Sequence, residues 1–98
     1  MDDVENLLKE IQEDKNIVNT KFSSSFLDNV SEVYEKHGFG VTKVFLLEKQ
    51  KQRKLKEQAR ALLNVLNKLE RYPRIKSDRK IVRLIIKVLE ALTPQRRR

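Results

Sequence analysis

Glycine and proline are scarce in this 98-residue chain, and their positions constrain its fold more than any other feature. The four occurrences are Gly38, Gly40, Pro73 and Pro94. Between them run long stretches without the residues that most often interrupt a helix, and these stretches are rich in Leu, Lys, Glu, Arg and Gln. The sequence therefore predicts an all-α fold, with residues 1–94 as one helical bundle domain and residues 95–98 as a basic C-terminal tail.

The spacing of apolar residues predicts where the first helices lie. We expect one helix over residues 3–14 and another over residues 23–37, with Gly38 closing the second in the left-handed conformation. Residues 42–72 contain neither glycine nor proline and are expected to form one long central helix. Because residues 48–54 carry no apolar side chain, a break into two shorter helices there remains the alternative.

The last helix is expected over residues 77–92, with Ser77 as its N-cap. Its apolar side chains cover more than half of its circumference, so we expect it to be packed on at least two sides at the centre of the bundle. The predicted architecture is thus a single-domain bundle of four helices, or five if residues 42–72 divide.

The composition excludes several classes of site. No cysteine is present, which rules out disulfides, thiolate metal ligands and cysteine nucleophiles. The first ten residues are acidic where a secretory signal is basic, and no apolar run is long enough to span a bilayer. We therefore expect a soluble intracellular protein, cytoplasmic or nuclear, with no cofactor, no metal and no membrane insertion.

No catalytic constellation can be recognised. The single histidine, His37, lies where a cation stabilises a helix C-terminus, and it has no second histidine as a partner. Ser23–Ser25 precede an apolar helix and are typical of N-caps. The Gly38–Gly40 turn is too short for a phosphate-binding loop. The sequence predicts that the protein is not an enzyme.

Charge is distributed unevenly along the chain, whose formal net charge is +8. Residues 1–48 have a net charge of −5, whereas residues 49–98 have a net charge of +13. Such an asymmetry is typical of a surface that meets a polyanion, although the two halves could simply attract each other.

Basic residues recur at helical spacing in the second half of the chain. Lys49, Arg53, Lys56 and Arg60 would share one face of a continuous helix, and Lys68 and Arg71 would extend that stripe to about 33 Å. Further cations lie in the following connection, along the last helix and in the tail. These are Arg74, Lys76, Lys80, Arg83, Lys87, Arg96, Arg97 and Arg98.

These cations predict that the protein binds nucleic acid through phosphates, alone or as a subunit of a nucleoprotein complex. Because no aromatic residue is interleaved with the basic stripe, binding should be largely independent of sequence and sensitive to salt. The alternatives are that the basic faces are merely solvated, or that the protein is an interaction adaptor or regulatory subunit. Such an adaptor would bind an acidic or helical protein partner, with a homodimer as one form.

The segment LLNVLNKLERYP, residues 62–73, followed by another helix, resembles one unit of the helical repeats found in transcription-elongation and armadillo-type domains. The likeness covers about a third of the chain, contains no diagnostic motif and implies no role for any individual residue.

Overall fold

The computed structural model describes residues 2–93, and in that range it contains seven helices and no strand. They are α1 (Asp3–Glu13), α2 (Lys15–Val18), α3 (Ser24–Lys49), α4 (Lys56–Leu69), α5 (Pro73–Ser77), α6 (Arg79–Lys87) and α7 (Leu89–Leu92). The all-α prediction is confirmed. The predicted count of four or five helices is wrong: α2 and α5 are additional, the last predicted helix divides into α6 and α7, and residues 39–49 belong to α3 rather than to the helix that follows.

Two aspartates define the start of the chain's first two helices. The Asp2 carboxylate accepts a hydrogen bond from Val4 N at 3.1 Å, and the Asp14 carboxylate accepts one from Asn16 N at 2.9 Å. Leu7, Ile11 and Ile17 are fully buried. The first helix therefore forms where the sequence predicts it, and the expected connection after it contains the single turn α2.

Helix α3 consists of two arms that meet at Gly38. Ser23 caps the N-terminal arm, residues 24–37, and the C-terminal arm is residues 39–49. Gly38 has φ 86° and ψ −169°, which bends the helix there; the positive φ favours glycine, but ψ lies far from the left-handed helical conformation that the sequence predicted. On its outer side, Arg79 Nη1 donates to the carbonyl oxygen of Lys36 at 3.1 Å.

Residues 42–72 do not form one helix, so the prediction of a long central helix there is wrong. Helix α3 ends at Lys49, residues 50–55 form a series of turns, and α4 begins at Lys56. Helical propensity alone would allow the helix to continue. Because residues 48–54 have no apolar side chain to bury, a straight helix there would gain nothing from packing, and the chain turns back onto the core instead.

The C-terminal part of the fold also differs from its prediction. Pro73 begins the short helix α5, and Asp78, rather than Ser77, caps α6 by accepting from Ile81 N at 3.2 Å. Leu84 and Val88 are 53% and 45% exposed. Helix α6 therefore buries one side only, and its expected position at the centre of the bundle is wrong.

One core joins the helices. Helix α6 packs along the N-terminal arm of α3, and α4 packs against α3, α1 and α2. Tyr34 lies fully buried between them, and its hydroxyl donates to the carbonyl oxygen of Lys76 at 2.6 Å. Burial raises the pKa of Tyr34 to about 12. In the range 2–93, no helix has the length and apolar content needed to cross a membrane.

Candidate nucleic-acid interface

Six cations surround the break between α3 and α4. We call this group the basic turn, and it consists of Lys49, Lys51, Arg53, Lys54, Lys56 and Arg60. Over the same stretch of chain the acids are Glu48 and Glu57. The basic turn therefore concentrates positive charge in a short segment of the chain.

The backbone of the basic turn is ordered by its own hydrogen bonds and by a contact with α3. Gln52 N donates to the carbonyl oxygen of Lys49, and Leu55 N donates to that of Gln52, each at 3.0 Å. The side-chain oxygen of Gln58 accepts from Ser23 N at 2.9 Å, which ties the first turn of α4 to the N-terminus of α3. The cations thus project from a fixed backbone.

Most of the basic turn carries uncompensated charge. Lys51 lies 3.7 Å from Glu48, and both side chains are largely exposed, so this pair contributes little. Within residues 2–93, Arg53, Lys54, Lys56 and Arg60 form no ion pair, and all four are exposed. Their positive charge remains available to a ligand.

Four other cations of the predicted surface are held by acids. The pairs are Lys68 with Asp14 at 2.9 Å, Arg71 with Glu10, Lys76 with Glu70 at 3.1 Å, and Arg83 with Glu35 at 2.9 Å. Three of these acids, Glu10, Asp14 and Glu35, belong to the acidic half of the sequence. Part of the charge asymmetry therefore serves to join the acidic first half of the chain to the basic second half through ion pairs.

The pKa values of two of these acids reflect their contacts. Hydrogen bonds from the Tyr72 hydroxyl and from Arg71 hold the pKa of Glu10 below its ordinary value, against a smaller effect of burial. Burial acts to raise the pKa of Asp14, but hydrogen bonds from Lys68 and Ile17 N together outweigh it and lower the pKa. Both carboxyl groups are stabilised in the charged form, as structural ion pairs require.

The remaining cations of the prediction lie elsewhere. Lys80 and Lys87 are exposed on α6, beside Leu84 and Val88. Arg74 lines a groove together with Asp2, Asp3 and Asp78, which surround it with negative charge. Arg96, Arg97 and Arg98 lie outside the described residues.

Helix α3 separates the basic turn from α6. Glu35 pairs with Arg83 of α6 and Ser24 contacts Glu90 of α7, so both project from the same side of the N-terminal arm. Asn29 and Val33, which face the basic turn across a groove, lie about half a helical turn away. The structure therefore divides the predicted cations between two surfaces rather than joining them in one.

Comparison with protein-family models, with curated protein sequences and with solved structures found no match to this chain. Within residues 2–93, no group of three or more His, Asp or Glu side chains is placed to hold a metal ion.

Lys51 and Lys54 belong to the basic turn but were missed by the analysis of helical faces. In a continuous helix both would point away from the face shared by Lys49, Arg53 and Lys56. Once the chain turns at residues 50–55, that helical register no longer applies. The density of charge along the sequence, rather than its period, was the signal that could have identified them.

Proposed function

We propose that this chain is a small basic helical module that binds nucleic acid through phosphate contacts, alone or as a subunit of a nucleoprotein complex. The observation that carries the proposal is the basic turn, where four exposed cations have no ion-pair partner within residues 2–93. Exposed lysine and arginine side chains that have no ion-pair partner can approach phosphates without first breaking an internal salt bridge.

The chemistry of the basic turn supports binding that does not depend on base sequence. Its side chains are all lysine or arginine, and Phe45, which Lys49 covers with Nζ 5.1 Å from the ring centre, is half-buried. Backbone phosphates are therefore the expected ligands, and duplex DNA, duplex RNA and single strands should all compete.

Reversal of charge at Arg53, Lys56 and Arg60 together tests the proposal. All three side chains are exposed, so the helical circular dichroism signal should stay intact while binding to a generic duplex is abolished. The matched control reverses Arg74, Lys80 and Lys87, which are also exposed and change the net charge equally. Unchanged affinity in the first variant would refute the basic turn as the interface.

The two variants also test the position of the interface separately from the binding function itself. If the control variant alone loses binding, the nucleic acid is held on the other side of α3 and the interface proposed here is wrong. If the unmodified chain binds no nucleic acid at low salt, the function itself is refuted.

We propose as a second candidate a protein-interaction adaptor or regulatory subunit, including a homodimer. Three of the large apolar residues exposed in the described part of the chain, Val41, Val44 and Leu47, lie on successive turns of the C-terminal arm and are 49%, 61% and 40% exposed. A partner helix could bury this stripe. Sedimentation at low and high salt, with and without a generic duplex, tests it: a salt-resistant dimer indifferent to nucleic acid would favour this candidate.

A further inference from the structure

The bend at Gly38 leaves a groove between the two arms of α3. It has a volume of about 460 Å³, within the range of about 300–1,000 Å³ that is common for ligand sites. One wall belongs to the N-terminal arm, and the other belongs to the C-terminal arm and to Leu55 at the end of the basic turn. The groove is therefore formed almost entirely by one bent helix.

The lining of the groove is partly apolar. Phe26 and Val33 project from the N-terminal arm, and Phe45 and Leu55 face them from the opposite wall. Phe26 is only 5% exposed, whereas the other three are half-buried, so they retain apolar surface that the core does not cover. An apolar side chain entering the groove would remove that surface from water.

The charged lining of the groove consists of two lysines and one glutamate. Lys36 and Lys49 lie on opposite arms, with His37 next to Lys36. The one acid in the lining, Glu32, is already 3.0 Å from Lys36 Nζ. Both side chains of that pair are more than 60% exposed, so its strength is small and Lys36 can exchange Glu32 for a ligand carboxylate.

We infer that this groove binds a short acidic peptide segment, with one apolar side chain inserted between the arms and carboxylates on either side of it. The apolar side chain matches the uncovered lining of Val33, Phe45 and Leu55. The carboxylates match Lys36 on one arm and Lys49 on the other. This inference rests on the adaptor function proposed above and deepens it, because it names the site and the class of partner.

Three fluorescein-labelled peptides of equal length test the inference by anisotropy. The first has a central phenylalanine flanked by Asp and Glu, the second replaces the phenylalanine with alanine, and the third replaces the acids with glutamine. We expect the first peptide alone to bind, because both the anchor and the charges are needed. Equal binding of the second peptide, or of the third, would overturn the inference.

Two variants test whether the peptide binds in the groove. Asn29 is exposed and lines the groove, so Asn29→Trp should fill it without disturbing the fold and should weaken binding about tenfold or more. Asn67→Trp, at an exposed position on α4 outside the lining, is the matched control and should bind as the unmodified chain does. Reversal of Lys36 and Lys49 should weaken binding by about tenfold as well.

The outcomes separate the groove from the other surfaces. Unchanged peptide binding in Asn29→Trp, with loss of binding when Val41, Val44 and Leu47 are replaced by serine, would overturn the groove but leave an adaptor that uses the outer stripe. Absence of binding to all three peptides would overturn the groove, while sedimentation would still decide the adaptor function independently. Loss of duplex binding in Asn29→Trp, without peptide binding by the unmodified chain, would assign the groove to nucleic acid and overturn the inference.

Discussion

Lys68 Nζ lies 2.9 Å from the Asp14 carboxylate, and each side chain is only 17% exposed. The pair joins α4 to the start of α2, where the same carboxylate also accepts hydrogen bonds from the backbone. Because the pair is partly shielded from water, removing one partner leaves the other charge poorly solvated and costs more than breaking an ion pair on an open surface.

Replacement of Asp14 by Asn should therefore lower the free energy of unfolding by about 1–2 kcal/mol at neutral pH. Asparagine can still cap α2, so the change isolates the charge. The folded-state pKa of Asp14 lies below 3.8, so its contribution is fully present above 3.8 and is lost as the pH falls through the folded value. Chemical denaturation of both proteins across that range should show their difference shrinking in acid. A difference that does not depend on pH would contradict this account.

Gly38→Ala should destabilise the protein by about 2 kcal/mol. Alanine at this position would have to adopt φ 86°, and its Cβ would lie 3.0 Å from Arg79 Nη2. Gly40→Ala is the matched control, because Gly40 lies in the same helix and a Cβ there would meet nothing within 4 Å. This variant should raise the free energy of unfolding by about 0.5–1 kcal/mol. Thermal or urea denaturation measures both. Equal effects of the two variants would show that the bend is not held as described.

Tyr34→Phe should cost about 1–2 kcal/mol, because it removes the hydrogen bond to the Lys76 carbonyl oxygen inside the fold. In the folded state the pKa of Tyr34 is about 12, against 10.0 for the free group. The unfolded chain therefore releases this proton first, and stability should fall between pH 10 and about 12. Denaturation in alkali should show a smaller fall for the Phe variant than for the unmodified chain. An identical fall in both would assign the alkaline loss to other groups.

Binding to a generic duplex should weaken steeply with salt. If each of the six cations of the basic turn neutralises one phosphate, log K should fall against log salt with a slope of about −5. Lys56→Ala should reduce the slope by about 1, whereas Lys87→Ala on α6 should leave it unchanged. Titrations at several salt concentrations measure the slopes, and a larger change for Lys87→Ala would contradict the assigned interface.

The sequence predicted the fold well where local signals and packing agree. Ser23 caps a helix as expected, and the helix bends at Gly38, the glycine that was predicted to end it. The prediction failed at residues 48–54, where residues with high helix propensity have no apolar face. Helix propensity does not indicate whether a helix has a partner to pack against. The exposure of Leu84 was missed for a related reason: apolar content shows that a side chain could be buried, not that a neighbour is present.

The candidate interface was only partly predictable. Arg53, Lys56 and Arg60 were named from their spacing, and the structure leaves all three exposed and without ion pairs within residues 2–93. Lys68 and Arg71 were assigned to the same stripe, although each is held by an acid from α1 or its end. Which cation meets an acid depends on how distant helices pack, and periodicity along one helix carries no information on that.

The bend at Gly38 also couples parts of the molecule that share no ligand contacts. Arg79 occupies the space that a side chain at position 38 would need, and it donates a hydrogen bond to the backbone carbonyl of Lys36, two residues earlier. Helix α6 supplies no residue to the lining of the groove, yet its first residue, Arg79, contacts the bend between the two walls. The spacing between the two walls of the groove is therefore stabilised by a contact that lies outside the groove.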